Sequence, residues 1–66
     1  MRYTYYKIKP IFTRYVGVLE LFRKRGAEWE CWAIRLDGIA GWCFCMPKKL
    51  EWLNKLTEKE AFLEML

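Results

Sequence analysis

Three cysteines are the residues with the clearest potential for chemistry. Cys43-Phe44-Cys45 is a C-x-C pair, and Cys31 stands apart from it. In an extended chain the two thiols of a C-x-C pair point to the same side. A thiolate zinc site needs four ligands, commonly from pairs spaced by two to four residues. Only three thiols and no histidine are present. Whether Cys31 can join the pair depends on one turn, at Asp37-Gly38. A two-residue turn there sends Cys31 to the opposite face. A three-residue loop brings all three thiols to one face. The reading taken is that of small buried hydrophobes with free thiols, with no metal and no cofactor. An odd cysteine count is unlike a small secreted disulfide scaffold, so a reducing cytoplasm is the expected compartment.

Other catalytic equipment is sparse. The 66 residues contain no His, no Ser and no Gln, with a single Asp (Asp37) and a single Asn (Asn54). A Ser-His or Cys-His nucleophile pair therefore cannot be assembled. No HExxH, EF-hand, Walker or GxGxxG pattern occurs. The acidic residues Glu58, Glu60 and Glu64 read as a solvated helix face. A non-enzymatic protein is the expectation. A small nuclease or toxin built on Arg, Lys, Tyr and Glu is the weakest alternative, since Tyr and Lys serve as acid–base groups only when perturbed.

The basic residues are unevenly placed. Residues 1–25 hold Arg2, Lys7, Lys9, Arg14, Arg23, Lys24 and Arg25 against Glu20 alone, within a net charge of +4. Tyr3, Tyr5, Tyr6, Phe12 and Tyr15 are interleaved with them. Aromatic rings flanked by cations on a sheet can stack bases and hold phosphates. Tyr3, Tyr5, Tyr6, Lys7, Lys9, Arg14 and Tyr15 are the candidates for direct single-stranded RNA or DNA contact. The bland alternative makes the tyrosines core or edge residues and the cations a solubilising fringe. Arg23-Lys24-Arg25 would project from a hairpin tip. Four tryptophans are many for this length; tryptophan serves interface hot spots and small cores equally. The candidate partner-binding set is Arg23, Lys24, Arg25, Trp29, Phe22 and Trp52.

These side chains must be positioned by one small domain, residues 1–66. At 55% hydrophobic and 18% aromatic, the chain has enough apolar surface to fold. Residues 2–9 read as a strand that Pro10 interrupts. Residues 11–23 read as a second strand, with a bulge or bend at Gly17. Arg25-Gly26 reads as a turn that sets Arg23 opposite Glu28 and Leu19 opposite Trp32. Residues 28–36 form a third strand, and Asp37-Gly38 signals a hairpin. A two-residue turn there sets Trp32 opposite Cys43 and Ile34 opposite Gly41. Residues 39–46 form the fourth strand. Pro47 then opens helical chain to residue 66, either continuous or as two short helices, 48–55 and 58–66, that meet at Leu56-Thr57, where Thr57-x-x-Glu60 is a capping box. In helical geometry Trp52 lies off the Leu50–Leu53–Leu56 stripe, and so is the tryptophan most exposed to a partner. The expected fold class is α+β: a small antiparallel sheet of about four strands, in ββββα order, with C-terminal helical cover.

The stretch Trp32-Ala33-Ile34-Arg35-Leu36-Asp37-Gly38-Ile39-Ala40-Gly41-Trp42 resembles the W-x-V-x-x-x-G-x-x-G-W segment of bacterial SH3-like domains. It spans eleven of the 66 residues. That resemblance implies a small barrel that binds peptide or cell-wall ligands, and it makes the SH3-like barrel the alternative fold. The family's strand after Gly-Trp has no counterpart here.

The alternation places Tyr15, Leu19, Leu21, Trp32, Ile34, Leu36, Ile39 and Cys43 on one face. Val16, Val18, Phe22, Trp29, Cys31, Ala33, Trp42, Phe44 and Met46 fall on the other. Both faces are apolar. A four-stranded sheet is about 19 Å wide at about 4.8 Å per strand, and one helix covers about 10 Å. The remaining surface must be curled into a barrel, covered by the N-terminal segment, or left for a partner. The functional expectation is stoichiometric association with a protein or ribonucleoprotein target. A phage- or mobile-element-encoded inhibitor of a host nucleic-acid-handling complex would fit that expectation. A homodimer and direct nucleic-acid binding are the alternatives. No uncharged stretch is long enough for a membrane helix, since the longest, Gly38 to Pro47, has ten residues. The N-terminus shows no signal-peptide pattern.

Overall fold

The computed structural model describes residues 2–15 and 20–66. Five strands form one antiparallel sheet: β1 (Thr4–Ile8), β2 (Leu21–Arg25), β3 (Glu28–Ile34), β4 (Ala40–Phe44) and β5 (Leu53–Leu56). Their order is β4-β3-β2-β1-β5, and the sheet is open, with β4 and β5 at its edges. A helix, α1 (Glu58–Glu64), follows β5. The fold is thus α+β, as the alternation predicts, and the SH3-like barrel is excluded because the sheet does not close.

Two segments depart from the sequence reading. Residues 11–23 are not one strand. Pro10–Tyr15 is a 3₁₀ helix, closed by the Phe12 N–H donating to the Lys9 carbonyl at 2.8 Å. Proline presets φ for a helical turn and has no N–H to lose there. The predicted bulge at Gly17 and the faces assigned to Val16, Val18 and Leu19 lie outside the described residues. Residues 48–55 are not a helix either. Leu50–Trp52 is a short 3₁₀ helix, and β5 pairs with the second edge of β1, Tyr5 to Leu56 and Ile8 to Leu53. That pairing supplies partners to an edge that would otherwise be bare, which outweighs the helical preference of Leu and Lys. Leu53 and Leu56, three apart, point to opposite sides of the sheet. Only the second half of the predicted helix remains, started by Thr57. Its hydroxyl accepts from the Glu60 N–H at 3.1 Å, and the Glu60 carboxylate accepts from the Thr57 N–H at 2.9 Å.

The turns set the faces. The β2–β3 turn is at Gly26-Ala27, with Gly26 at φ 63°, so Arg25 faces Glu28 and Arg23 faces Glu30. The predicted Arg23–Glu28 pair is therefore Arg23–Glu30. The β3–β4 connection is one residue longer than a two-residue turn. The Gly38 N–H donates to the Arg35 carbonyl at 2.9 Å, the Arg35 N–H to the Ile39 carbonyl at 3.0 Å, and Gly38 takes φ 84°. This is a turn followed by a left-handed residue, which L side chains rarely adopt. Cys31 thus pairs with Cys43, Trp32 with Trp42 and Ile34 with Ala40. The predicted Trp32–Cys43 and Ile34–Gly41 pairs are corrected, and every β4 side chain exchanges faces.

One face carries the core: Ile8, Phe22, Trp29 and Cys31, with Tyr6, Phe12, Ala33, Cys43, Cys45, Trp52 and Leu53 packed against it. The two 3₁₀ helices and the chain after β4 cover it. On the opposite face α1 packs against β1 and β5, with Ala61 fully buried. Beyond that helix, the same face over β3 and β4 carries Trp32, Ile34, Trp42 and Phe44, of which Ile34 and Phe44 are each 78% exposed.

Candidate interaction surface

The β2–β3 hairpin brings Arg23, Lys24 and Arg25 to one tip. Arg23 and Arg25 are two apart and share the helix-bearing face; Lys24 lies on the core face. Tyr3 precedes β1, next to the hairpin strand, because Thr4 pairs with Lys24. The Arg23 guanidinium carbon lies 3.8 Å from the Tyr3 ring centroid and 4.3 Å from that of Trp42. The Arg25 guanidinium carbon lies 4.6 Å from the Tyr3 ring. The result is an alternating ladder, Arg25–Tyr3–Arg23–Trp42. Trp32 and Tyr5 continue it against Trp42, at 5.3 Å and 6.0 Å between centroids.

Electrostatics distinguish the three cations. Arg23 donates through Nε to Glu30 Oε1 at 2.6 Å, and both side chains are about four-fifths buried, 18% exposed. Arg23 is thereby neutralised and fixed in plane. Lys24 and Arg25 enter no ion pair among the described residues. Lys24 does lie over the Trp29 ring, 5.4 Å from its centroid. The tip thus presents two cations anchored on aromatic rings but not neutralised.

The remaining candidates are scattered. Phe22 and Trp29 are core residues, 2% and 8% exposed. Trp52 ends the second 3₁₀ helix rather than lying on the outer face of an α-helix, and it stacks on Phe12 at 5.1 Å with a 12° interplanar angle. Of the nucleic-acid set, Tyr3, Tyr5 and Lys7 share the helix-bearing face. Tyr5 is buried against Phe62 of α1, and Lys7 is paired with Glu64 at 2.9 Å. Tyr6 points to the other face, against Trp29 at 5.3 Å. Lys9 donates its N–H to the Trp52 carbonyl, and Arg14 lies on the first 3₁₀ helix. The side chain of Tyr15 lies outside the described residues. Sequence reasoning missed Trp32 and Trp42 as members of the ladder, because the two-residue turn assigned them to different faces.

The three thiols do share a face, the outcome a longer loop entails. All three are free. Cys31 is pushed up to about 12, first by burial, then by the hydrogen bond and charge of Cys45 and the charge of Cys43. A group held this firmly protonated packs as a hydrophobe. Among the described residues no three potential ligands converge on a point that could hold a metal. A shallow hollow along α1, lined by Glu58, Lys59, Phe62, Leu63 and Leu66, offers apolar contact and two exposed charges. No helix among the described residues is long and apolar enough to cross a membrane.

Set against protein-family models, curated proteins and solved structures, the chain matches none at significant similarity.

Proposed function

We propose that this chain is a non-enzymatic binding protein. It acts by stoichiometric association with a macromolecular target, a protein or a ribonucleoprotein, through the β2–β3 tip and the adjoining rings. The observation that carries the reading is the Arg25–Tyr3–Arg23–Trp42 ladder, which lies on the helix-bearing face. Holding a guanidinium flat on a ring removes much of the rotamer freedom that binding would otherwise cost. Arg and Trp are the residue types that dominate interface energetics. The two cations without ion-pair partners favour an acidic surface. A small binding-only chain of this kind suits a phage- or mobile-element-encoded regulator of a host nucleic-acid-handling complex. Its free thiols suit a reducing cytoplasm.

Direct single-stranded RNA or DNA binding is the second reading, favoured by the exposed Arg25 beside Tyr3. Titration against oligonucleotides at rising salt separates the two. Direct binding weakens along a log–log line whose slope reports the phosphates neutralised. The target-binding reading expects no measurable oligonucleotide affinity at low salt, and a steep salt slope with strong affinity would replace it by the second reading.

A further inference from the structure

The outer edge of β4 is built to meet another strand. The Cys45 N–H donates to the Trp29 carbonyl and the Arg35 N–H to the Ile39 carbonyl. With Cys31 paired to Cys43 and Ala33 to Gly41, alternation of the antiparallel ladder follows. Residues 39, 41, 43 and 45 spend their backbone groups on β3, whereas Ala40, Trp42 and Phe44 direct theirs outward. No strand among the described residues lies on that side. Edge strands are commonly blunted by lysine, proline or a bulge. The other edge, β5, carries Asn54 and Lys55. The β4 sequence, Ala-Gly-Trp-Cys-Phe, has no charge and no proline.

The side chains complement a second copy of the same strand. An antiparallel pairing of two β4 strands about a two-fold axis at Trp42 sets Ala40 opposite Phe44 of the second copy. Ala40 is already paired with Ile34, so one row reads Ile34, Ala40, Phe44 of the second copy. The two large members of that row are each 78% exposed in the single chain. The small Ala40 between them lets them close over it. The symmetry repeats the match on the other side, as a two-fold interface must. Charge permits the pairing: Arg23, which reaches over the Trp42 ring, is neutralised by Glu30, and Arg35, whose side chain approaches Gly41, is paired with Asp37. Phe44's neighbour in its own row is Glu30, whose charge is already taken by Arg23.

We propose that two copies of this chain associate through their β4 edges into one continuous antiparallel sheet centred on Trp42. The pairing shares the Trp42 ring with the ladder beside the β2–β3 tip, but it rests on the outward backbone groups of β4 and does not depend on the role assigned to that tip.

The test is residue-resolved amide hydrogen exchange on the intact chain at several concentrations across the micromolar range, with molar mass followed by light scattering. In the single chain the amides of Ala40, Trp42 and Phe44 exchange fast. The proposal expects a concentration-dependent dimer in which these three slow by about tenfold or more once dimer outnumbers free chain by that ratio. Ala40→Lys is expected to remain folded by circular dichroism and to be monomeric, whereas Lys24→Glu with Arg25→Glu leaves the dimer intact. A monomer at every soluble concentration overturns the proposal. So does a dimer in which those amides stay fast, because it would use another surface, and so does a dimer that survives Ala40→Lys. The wild-type exchange data decide the matter even if a variant fails to fold.

Discussion

The Arg23 guanidinium lies between the rings of Tyr3 and Trp42 while its Nε holds Glu30. Truncation removes two cation–π contacts and leaves a largely buried carboxylate without its partner. Arg23→Ala is therefore expected to lower stability by about 2–3 kcal/mol in urea unfolding. Arg23→Lys keeps the charge but not the planar stack, and should lose about half as much. An effect below the error of the urea midpoint would mean the ladder is a surface decoration. Cys31 gives a second readout. Its thiol ordinarily titrates near 9.0 and is pushed up to about 12 in the folded chain. Between those values the folded state holds a proton that the unfolded state has lost. This contribution to stability is therefore complete below about pH 9 and declines as pH rises toward 12. Cys31→Ala should flatten that alkaline decline, checked by urea midpoints from neutral pH upward. Residue types alone were enough to read the thiols as hydrophobes. They could not say which tryptophans join Arg23, because that depends on the length of a distant loop.

Loop length explains most of what the strands revealed and concealed. A turn centred one residue further along, at Gly26-Ala27, moved the β2–β3 register by two. Side-chain parity survived, so Arg23 kept a glutamate opposite it. A β3–β4 loop longer by one residue, Leu36 to Gly38, moved the register by one and exchanged the faces of β4. Asp37-Gly38 suits both loops, so local composition could not choose between them. Gly38 has φ 84° and no atom within 4 Å of an added Cβ. Gly38→Ala should thus cost about 1 kcal/mol from backbone strain alone, and Gly38→Asn less. β5 escaped detection because Leu50, Leu53 and Leu56 satisfy helical spacing; its strand state comes from the open side of β1, a long-range cause. The capping box was legible because it is local. Thr57→Ala should cost about 1 kcal/mol, read as thermal destabilisation with loss of helical ellipticity. The Glu60 carboxyl is held below its usual value by hydrogen bonds from Thr57. Its contribution is present above the ordinary carboxylate range and is lost as pH falls through the folded value. Thr57→Ala keeps the backbone N–H that is the larger cause, so Glu60→Gln is the variant expected to remove that acid sensitivity, read from urea midpoints at falling pH.

The assembled chain buries one sheet face under two short 3₁₀ helices and shelters only part of the other under α1. The mismatch between apolar surface and helical cover was visible in composition and alternation. The identity of the covered face was not, because the 3₁₀ helices and β5 arise from Pro10 and from strand pairing rather than from periodicity. What is left outward is a basic, ring-anchored tip and an uncharged edge strand, two surfaces suited to association. The most direct measurement is quantitative affinity capture from extracts of the native cell, after nuclease treatment, comparing three forms of the chain. Wild type and the helix variant Lys59→Glu should retain one partner in near-equimolar amount, and Lys24→Glu with Arg25→Glu should lose it. An identical set of captured proteins for all three, or no partner for any, would contradict the assignment of this protein as a stoichiometric binder acting through its hairpin tip.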